Sequence, residues 1–422
     1  MPAGIVKERF GWISKNTDLP KKRQKVGKER ARPEEENERD EHETTPFMSG
    51  DDFFAESKVT VSVSCMQGYK SALKAFYEDS LVNFDAELDA WLDSFIQGYK
   101  KTVAEKKASG VMEIKEGKSP IAFSGHCFLS KVLMALKPEK RKYYFTESIF
   151  GWCFQVLAWN LIARSSSIQG IMLQHMSWRG DCLVINFPLH KGDQTGESLA
   201  KDKHVYANPL KPEICPMLAV AVLIFCRHRG VGEGVVTQLF TGDSVDKFGA
   251  MLRVVFADKN LIPEDIDLGS ARQDLGTHSN RKGAATYLCG LAVCLSVVAI
   301  YLRAGWSVGK VQDQYIFSGA GSDQVVGRAA AGLPINDNGF AVLPPHFSAR
   351  GTVILRDIGY SNIHESFDYF PECFKLVVPY LLASLVYHYD FLRTHLDRAH
   401  PLWNQRIFTI PLEVEGVYFP NA

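Results

Sequence analysis

From Lys58 onward the apolar positions recur at three- and four-residue spacings, the pattern of helices that each bury one face. The spacing predicts a helix over 59–77 and a second over 84–107, in which Phe84, Leu88, Trp91, Leu92, Phe95 and Ile96 make the apolar stripe. A third is expected from Ser119-Pro120, a cap residue followed by proline at the first helical position, to about Leu136. The polar, basic run 137–142 reads as a linker before an apolar helix over 145–163. The period then changes. Residues 182–189 and 203–208 read as two strands around the glycine-containing polar stretch 191–200, a hairpin with a long tip. Helices resume over 213–229, 244–258, 278–291 and 297–304, with a short one near 308–316. Beyond Pro345 the pattern predicts an apolar helical stretch over 374–392 and a strand over 406–412. The class expected is mainly α with a small antiparallel sheet (α+β).

The N-terminus does not share this pattern. After Leu19, residues 15–45 hold almost no large apolar side chain and cannot offset the entropy of ordering, so 1–50 is expected to be a disordered charged tail. A basic block, Lys21-Lys22-Arg23-Gln24-Lys25 onward to Arg32, is followed by an acidic block over 34–43. Residues 20–26 resemble a nuclear-import signal, which implies a nuclear address; the plainer alternative is a solvated charge run or a nonspecific phosphate-binding arm. The organisation read from these shifts is the tail 1–50, an all-helical module 51–140, a mixed but mainly helical domain 141–335 and a C-terminal extension 336–422 of unassigned role.

Composition sets the outer bounds. A chain of 422 residues that is 46% hydrophobic can bury two or three real cores. Its longest apolar runs, 214–226 and 291–302, fall short of the roughly 20 residues a membrane span needs, so no membrane partner is expected. Residues 1–14 have no apolar core or cleavage site of a secretory signal. The 9 cysteines form no C-x-x-C pair, which argues against a disulfide framework and a structural zinc site; they read as buried small hydrophobes. No metal or other cofactor is expected. His388, His395 and His400 lack an accompanying carboxylate or cysteine pattern and read as a solvated helix face. Lysine plus arginine, at 48, equals aspartate plus glutamate, at 48, whereas nucleic-acid-binding domains usually carry a basic excess. The two opposed blocks of the tail show how a zero sum can hide distribution.

The candidate chemistry begins at His278-Ser279-Asn280-Arg281. An i, i+3 pair puts an imidazole and a guanidinium on one helix face, where both can reach one phosphate. Spacing alone does not select it, because His395-Leu396-Asp397-Arg398 repeats it. The wider string does: Gly276-Thr277-His278-Ser279-Asn280-Arg281-Lys282-Gly283-Ala284-Ala285, then Gly305-Trp306, with Trp306 25 residues past Arg281 and Tyr315 nine beyond that. This arrangement resembles the tyrosine recombinase (phage integrase) family, in which an H-x-x-R helix is followed by a G-H or G-W step and, nine residues on, the nucleophilic tyrosine. The resemblance implies an upstream arginine at a helix end, matched by Arg164 in Leu161-Ile162-Ala163-Arg164, and a lysine on the next hairpin tip, matched by Lys191. It covers about 145–317 well and the helical module before it loosely, which implies that 51–140 is a core-binding module that clamps DNA and 141–335 the catalytic domain. The tail and Asp193-Gln194 look most like recombinases of crypton-type eukaryotic transposons. One position departs: many members carry an acidic residue three after the first arginine, where this chain has Ser167.

What the resemblance implies is cleavage and rejoining of double-stranded DNA, by a tetramer on two duplexes, for mobile-element integration or excision. Tyr315 attacks the backbone phosphorus and His278 takes or orients its proton, since a phenol of pKa near 10 must lose it. Arg164 and Arg281 grip the non-bridging oxygens, and Trp306 donates its indole N–H to the phosphate. Lys191 protonates the leaving 5′ oxygen, for which a titratable amine suits better than a guanidinium. Each residue has a plainer reading: Tyr315 as a surface tyrosine, Arg164 as a helix C-cap, Trp306 as a core aromatic, and Lys201 or Lys203 as the hairpin's working amine. Tyr287 and Tyr301 lie in apolar runs and read as core. The rival functions are a non-cutting DNA-binding descendant, a type IB topoisomerase-like relaxase, and a nuclear scaffold that uses 374–392 as a partner surface.

Overall fold

The structure is a computed structural model that describes residues 61–112, 114, 117–137, 145–187, 202–226, 238–293, 295–306 and 321–409. The charged tail with its import-like motif, most of the 137–142 linker, the expected hairpin tip with Lys191 and the helix expected near 308–316 with Tyr315 lie outside the described residues.

The chain divides into two compact units at 114/115. In the first, helix α1 (Val63–Asp79) pairs with α2 (Ala86–Ala108). Asp85 caps α2 by accepting from the Glu87 and Leu88 N–H groups, and Lys106 and Lys107 sit at its C-terminal end, where the helix dipole favours cations. The buried stripe of α2 is Leu92, Ile96, Tyr99 and Val103, so the apolar face runs further along the helix than the sequence stripe suggested, and Trp91 is exposed. Lys70 ties the pair together, reaching Asp89 at 2.5 Å and Asp93 at 2.6 Å.

The second unit is built around α4 (Phe145–Asn160), whose residues from Ser148 to Asn160 are all buried. A helix that is apolar on every side needs neighbours on every side. They are α3 (Phe123–Met134), α6 (Pro216–Cys226), α7 (Ser244–Ala257) and α8 (Thr277–Cys289). Helix α3 thus packs in the second unit, and the sequence grouping of it with α1 and α2 does not describe its contacts. It begins at Phe123 rather than beside Pro120, because 118–122 runs extended alongside the segment before α8: the Ser119 N–H donates to the Asp274 carbonyl and the Ala122 N–H to that of Leu268.

The short helix α5 (Ser165–Gln169) leads from α4 to a three-stranded antiparallel sheet, β1 (Met176–Arg179), β2 (Cys182–Ile185) and β3 (Lys203–Val205), in the order β1-β2-β3. The register pairs Met176 with Ile185 and Leu183 with Val205. The expected hairpin is β2–β3, with shorter strands than the alternation implied. The first strand, with its polar Ser-Trp-Arg, gave no period-2 signal. Every residue of β2 and β3 is buried, because α10 (Gly321–Ala330), which follows α9 (Val297–Ala304), covers β3. Gly327 makes this approach possible: a Cβ there would overlap the His204 carbonyl oxygen.

The C-terminal extension belongs to this core. Helices α11 (Ala349–Ile358) and α12 (Tyr360–Ile363) precede α13 (Glu372–Lys375), α14 (Val378–Tyr387), α15 (Tyr389–His395) and α16 (Arg406–Thr409). The apolar stretch expected as one helix is therefore three, and Arg406–Thr409 is helical rather than a strand. Phe374, Leu381, Leu382 and Leu385 are fully buried, with α14 packed on α6, and Trp178 of β1 stacks on Tyr380 at 3.6 Å. A scaffold surface on 374–392 loses its basis, since its apolar side faces the chain's own interior. His388 and His400 are buried rather than solvated, at 3% and 2% exposure, the latter edge-on to Phe145. The cysteines also differ from expectation in part: Cys153, Cys182 and Cys215 are buried, but Cys289 is exposed. Among the described residues no helix is long and apolar enough to cross a membrane.

Candidate anion site on helices α8 and α9

Helix α8 carries His278 and Arg281 and is held from three sides. At its start the Gly276 N–H donates to the Ser279 hydroxyl at 2.9 Å, which satisfies one end of the first turn. In its middle Asn280 and Gln155 exchange amide hydrogen bonds at 2.6 and 2.8 Å across to the central helix. One turn later Gly283 lets the helix lie directly on the Ile121 backbone, where a Cβ would overlap the carbonyl oxygen. With that face fixed inward, His278 is exposed and Arg281 is 7% exposed.

The Gly-Trp step is a helix ending with a reason. Gly305 follows α9 in the left-handed region, at φ 67°, and its N–H donates to the Leu302 carbonyl while the Trp306 N–H reaches back to Tyr301 at 2.9 Å. This is the Schellman arrangement, completed by its usual apolar contact: Trp306 packs edge-on against Tyr301, 5.1 Å between ring centres. The ending places the Trp306 ring 5.3 Å from the Arg281 guanidinium carbon, and Arg281 donates to the Ala304 carbonyl at 2.5 Å. Tyr301 itself is 38% exposed, not core, because it lies on the outer side of that turn.

Arg164 reaches the same place from the end of α4. That helix also closes in a Schellman turn, with Ile162 N–H to Trp159 and Ala163 N–H to Ala158. Here the left-handed position is occupied by Ile162 at φ 49°, a strained conformation for a β-branched residue. Its side chain is fully buried, which holds it there. Arg164 follows in extended conformation as the residue before α5 and is half-buried. Burial, and then the nearby charge of Arg164, lower the Arg281 guanidinium to about 10, still cationic at neutral pH. The two guanidiniums are thus close enough to oppose each other. Arg281 and Arg303 are the two buried arginines among the described residues; Arg303 has Asp323 at 2.7 Å, whereas Arg281 has no carboxylate partner among those residues. A pair of cations with no carboxylate partner among the described residues, one of them beside an indole, suits an anion with two oxygens to offer.

Arg164, His278, Arg281 and Trp306 are therefore placed by described elements, and electrostatics and contacts join Arg164, Arg281 and Trp306. Lys191 and Tyr315 lie outside the described residues. Lys203, the alternative amine, is buried and donates to the Leu161 carbonyl at 3.2 Å, with Phe187 against its ammonium. Ser167 leaves no carboxylate at the third position after Arg164.

The sequence reading missed the polar network beneath this site. Arg303 is 2% exposed; it donates to the Asn160 carbonyl at 2.9 and 3.1 Å, to the His204 carbonyl at 2.8 Å and to Asp323. Asp323 in turn accepts from the backbone N–H of His204 and makes a 2.9 Å hydrogen bond to that imidazole. Burial pushes the Asp323 carboxyl up, but the Arg303 charge and these hydrogen bonds outweigh it and hold it well below the usual carboxylate range. The available signal was a lone arginine inside the apolar run 297–304, since a charge there is buried only with a partner.

No family model matches the chain, and no curated protein is similar to it. Among solved structures it is similar to an FLP recombinase–Holliday junction complex, at 11% identity and a TM-score of 0.40 over 72% of this chain and 73% of that one. A second, an Flpe–Holliday junction complex, is similar at 10% identity and a TM-score of 0.40 over 73% of each.

Proposed function

We propose that this chain is a DNA recombinase of the tyrosine type, which cleaves one strand by forming a 3′-phosphotyrosyl ester on Tyr315 and rejoins it by the reverse step. The observation that carries the reading is the uncompensated pair Arg164 and Arg281, the latter buried against Trp306 with no carboxylate among the described residues. A phosphodiester in its transition state offers two charged non-bridging oxygens, the complement of two guanidiniums. His278, on the same face of α8 and open to solvent, takes the phenolic proton as the Tyr315 oxygen bonds to phosphorus. The bond to the 5′ oxygen breaks, and Lys191 supplies the proton that this oxygen takes up. The partner is double-stranded DNA bound largely through phosphates, so affinity falls steeply with salt. Tetramer assembly on two sites, a nuclear location and mobile-element integration or excision in the manner of crypton-type elements complete the reading.

The test is capture of the covalent intermediate. The full chain is incubated with a library of duplexes carrying an internal nick near randomised positions; loss of the short 5′-hydroxyl strand traps the adduct, whose attached strand is sequenced. The expected result is an adduct that maps by mass spectrometry to Tyr315 and is lost in Tyr315→Phe. An adduct on exposed Tyr301 would move the nucleophile. Salt-dependent DNA binding with no adduct would instead support the non-cutting descendant, the alternative that Ser167 favours.

A further inference from the structure

Beneath Arg164, two elements converge on two backbone carbonyls. The Schellman turn that ends α4 leaves the carbonyls of Asn160 and Leu161 without backbone partners within the helix, and cations fill both positions. Arg303 of α9 grips Asn160 with Nε and one terminal nitrogen, and Lys203 of β3 takes Leu161. The same guanidinium then binds the His204 carbonyl and Asp323 of α10, which closes a buried ring of helix end, strand and two helices. Three residues downstream of the Leu161 carbonyl stands Arg164. Its backbone direction is set by this turn, including the strained Ile162, and its half-exposed side chain makes no ion pair among the described residues that would otherwise aim it. The usual way to aim such an arginine, a carboxylate three positions on, is occupied by Ser167.

We propose that Arg303 is a positioning residue for Arg164: by fastening the Asn160 carbonyl to β3 and α10 it holds the turn that points Arg164 at the scissile phosphate. This rests on the recombinase reading and adds to it a residue that never touches DNA. Asp323 and His204 fix the guanidinium's orientation, and Lys203 steadies the neighbouring carbonyl. A lysine at 303 keeps the charge but cannot reach Asn160, His204 and Asp323 together, because its point charge lacks the planar fork.

The experiment compares Arg303→Lys with the unaltered chain and with Arg164→Ala, on the strand selected above, carrying either a normal phosphate or a neutral methylphosphonate at the scissile position. A methylphosphonate has one non-bridging oxygen fewer to stabilise, so a defect confined to aiming a guanidinium shrinks on it, whereas general damage does not. Thermal unfolding and DNA affinity are measured alongside. The expected result is a folded Arg303→Lys protein with DNA affinity within about threefold, adduct formation slowed about tenfold or more on phosphate, and most of that loss recovered on methylphosphonate, as for Arg164→Ala. Equal rates on phosphate would overturn the proposal, and so would an equal loss on both substrates. Should Arg303→Lys fail to fold, Asp323→Asn, which keeps the shape and removes the orienting charge, is read by the same criteria. If the unaltered chain forms no adduct on either substrate, the recombinase reading fails and this role goes with it; if it does and the variants match it, only the positioning role fails.

Discussion

The Trp306 ring lies 5.3 Å from the guanidinium carbon of Arg281, on a turn whose geometry depends on Gly305. A cation over an indole face gains about 0.5–2 kcal/mol, more as the pair is desolvated. On the recombinase reading proposed above, replacing Trp306 by alanine is therefore expected to slow adduct formation roughly 2- to 30-fold through loss of that contact. Phenylalanine, which keeps an aromatic face but no N–H, should fall between the two. Single-turnover rates at saturating DNA check this, and an unchanged rate in the alanine variant would remove Trp306 from the site.

Gly283 is the point where α8 touches the Ile121 backbone. A methyl group there has no flexible neighbour to displace, so Gly283→Ala should cost about 1–3 kcal/mol in unfolding free energy despite alanine's better helix propensity. Urea midpoints would show it. The same substitution at Gly249, where a Cβ meets a Thr277 methyl at ordinary contact distance, should be neutral or stabilising.

Three histidines make the second unit sensitive to acid. Burial lowers His126 to about 3 and His388 to about 4; it also lowers His400 to about 4, against a small opposing effect of Asp397. Below their unfolded value of about 6.5 the unfolded chain takes up protons that the folded chain refuses. Stability is thus complete above about pH 6.5 and falls as pH drops toward 4, by up to about 1.4 kcal/mol per unit for each histidine. The Asp323 carboxylate adds a loss at still lower pH, since its folded value lies below its unfolded one. Denaturant midpoints at pH 7, 6 and 5 should fall in order, and His388→Gln should flatten the slope.

The C-terminal extension should behave as core. Leu381 is fully buried between α14 and α6, and its truncation to alanine is expected to cost about 2–5 kcal/mol. Leu376, five residues earlier and 64% exposed, should tolerate alanine within about 0.5 kcal/mol. Differential scanning calorimetry of the two variants separates this reading from a free partner-binding surface, for which the order would reverse.

The parts legible in the sequence were those with local causes. The boundaries of α9 follow from the apolar run and the glycine after it, and His278 with Arg281 follows from helical spacing. What was hidden depends on distant chain. Arg303 acquires its role from Asn160, His204 and Asp323, which lie 143, 99 and 20 residues away. Helix α3 looked like a continuation of the helices before it because its apolar face carries no label for which neighbour it will meet. His388 and His400 looked solvated because polar type was read as exposure, whereas tertiary packing decides that.

The covering of α6 by α14 also bears on synthesis. A ribosome that has released the apolar helix Pro216–Cys226 must add some 150 further residues before Val378–Tyr387 arrives to shield it. Through that interval the nascent second unit exposes an oily flank, so a message cut short between these two points yields a fragment suited to chaperones and proteases rather than to a finished fold.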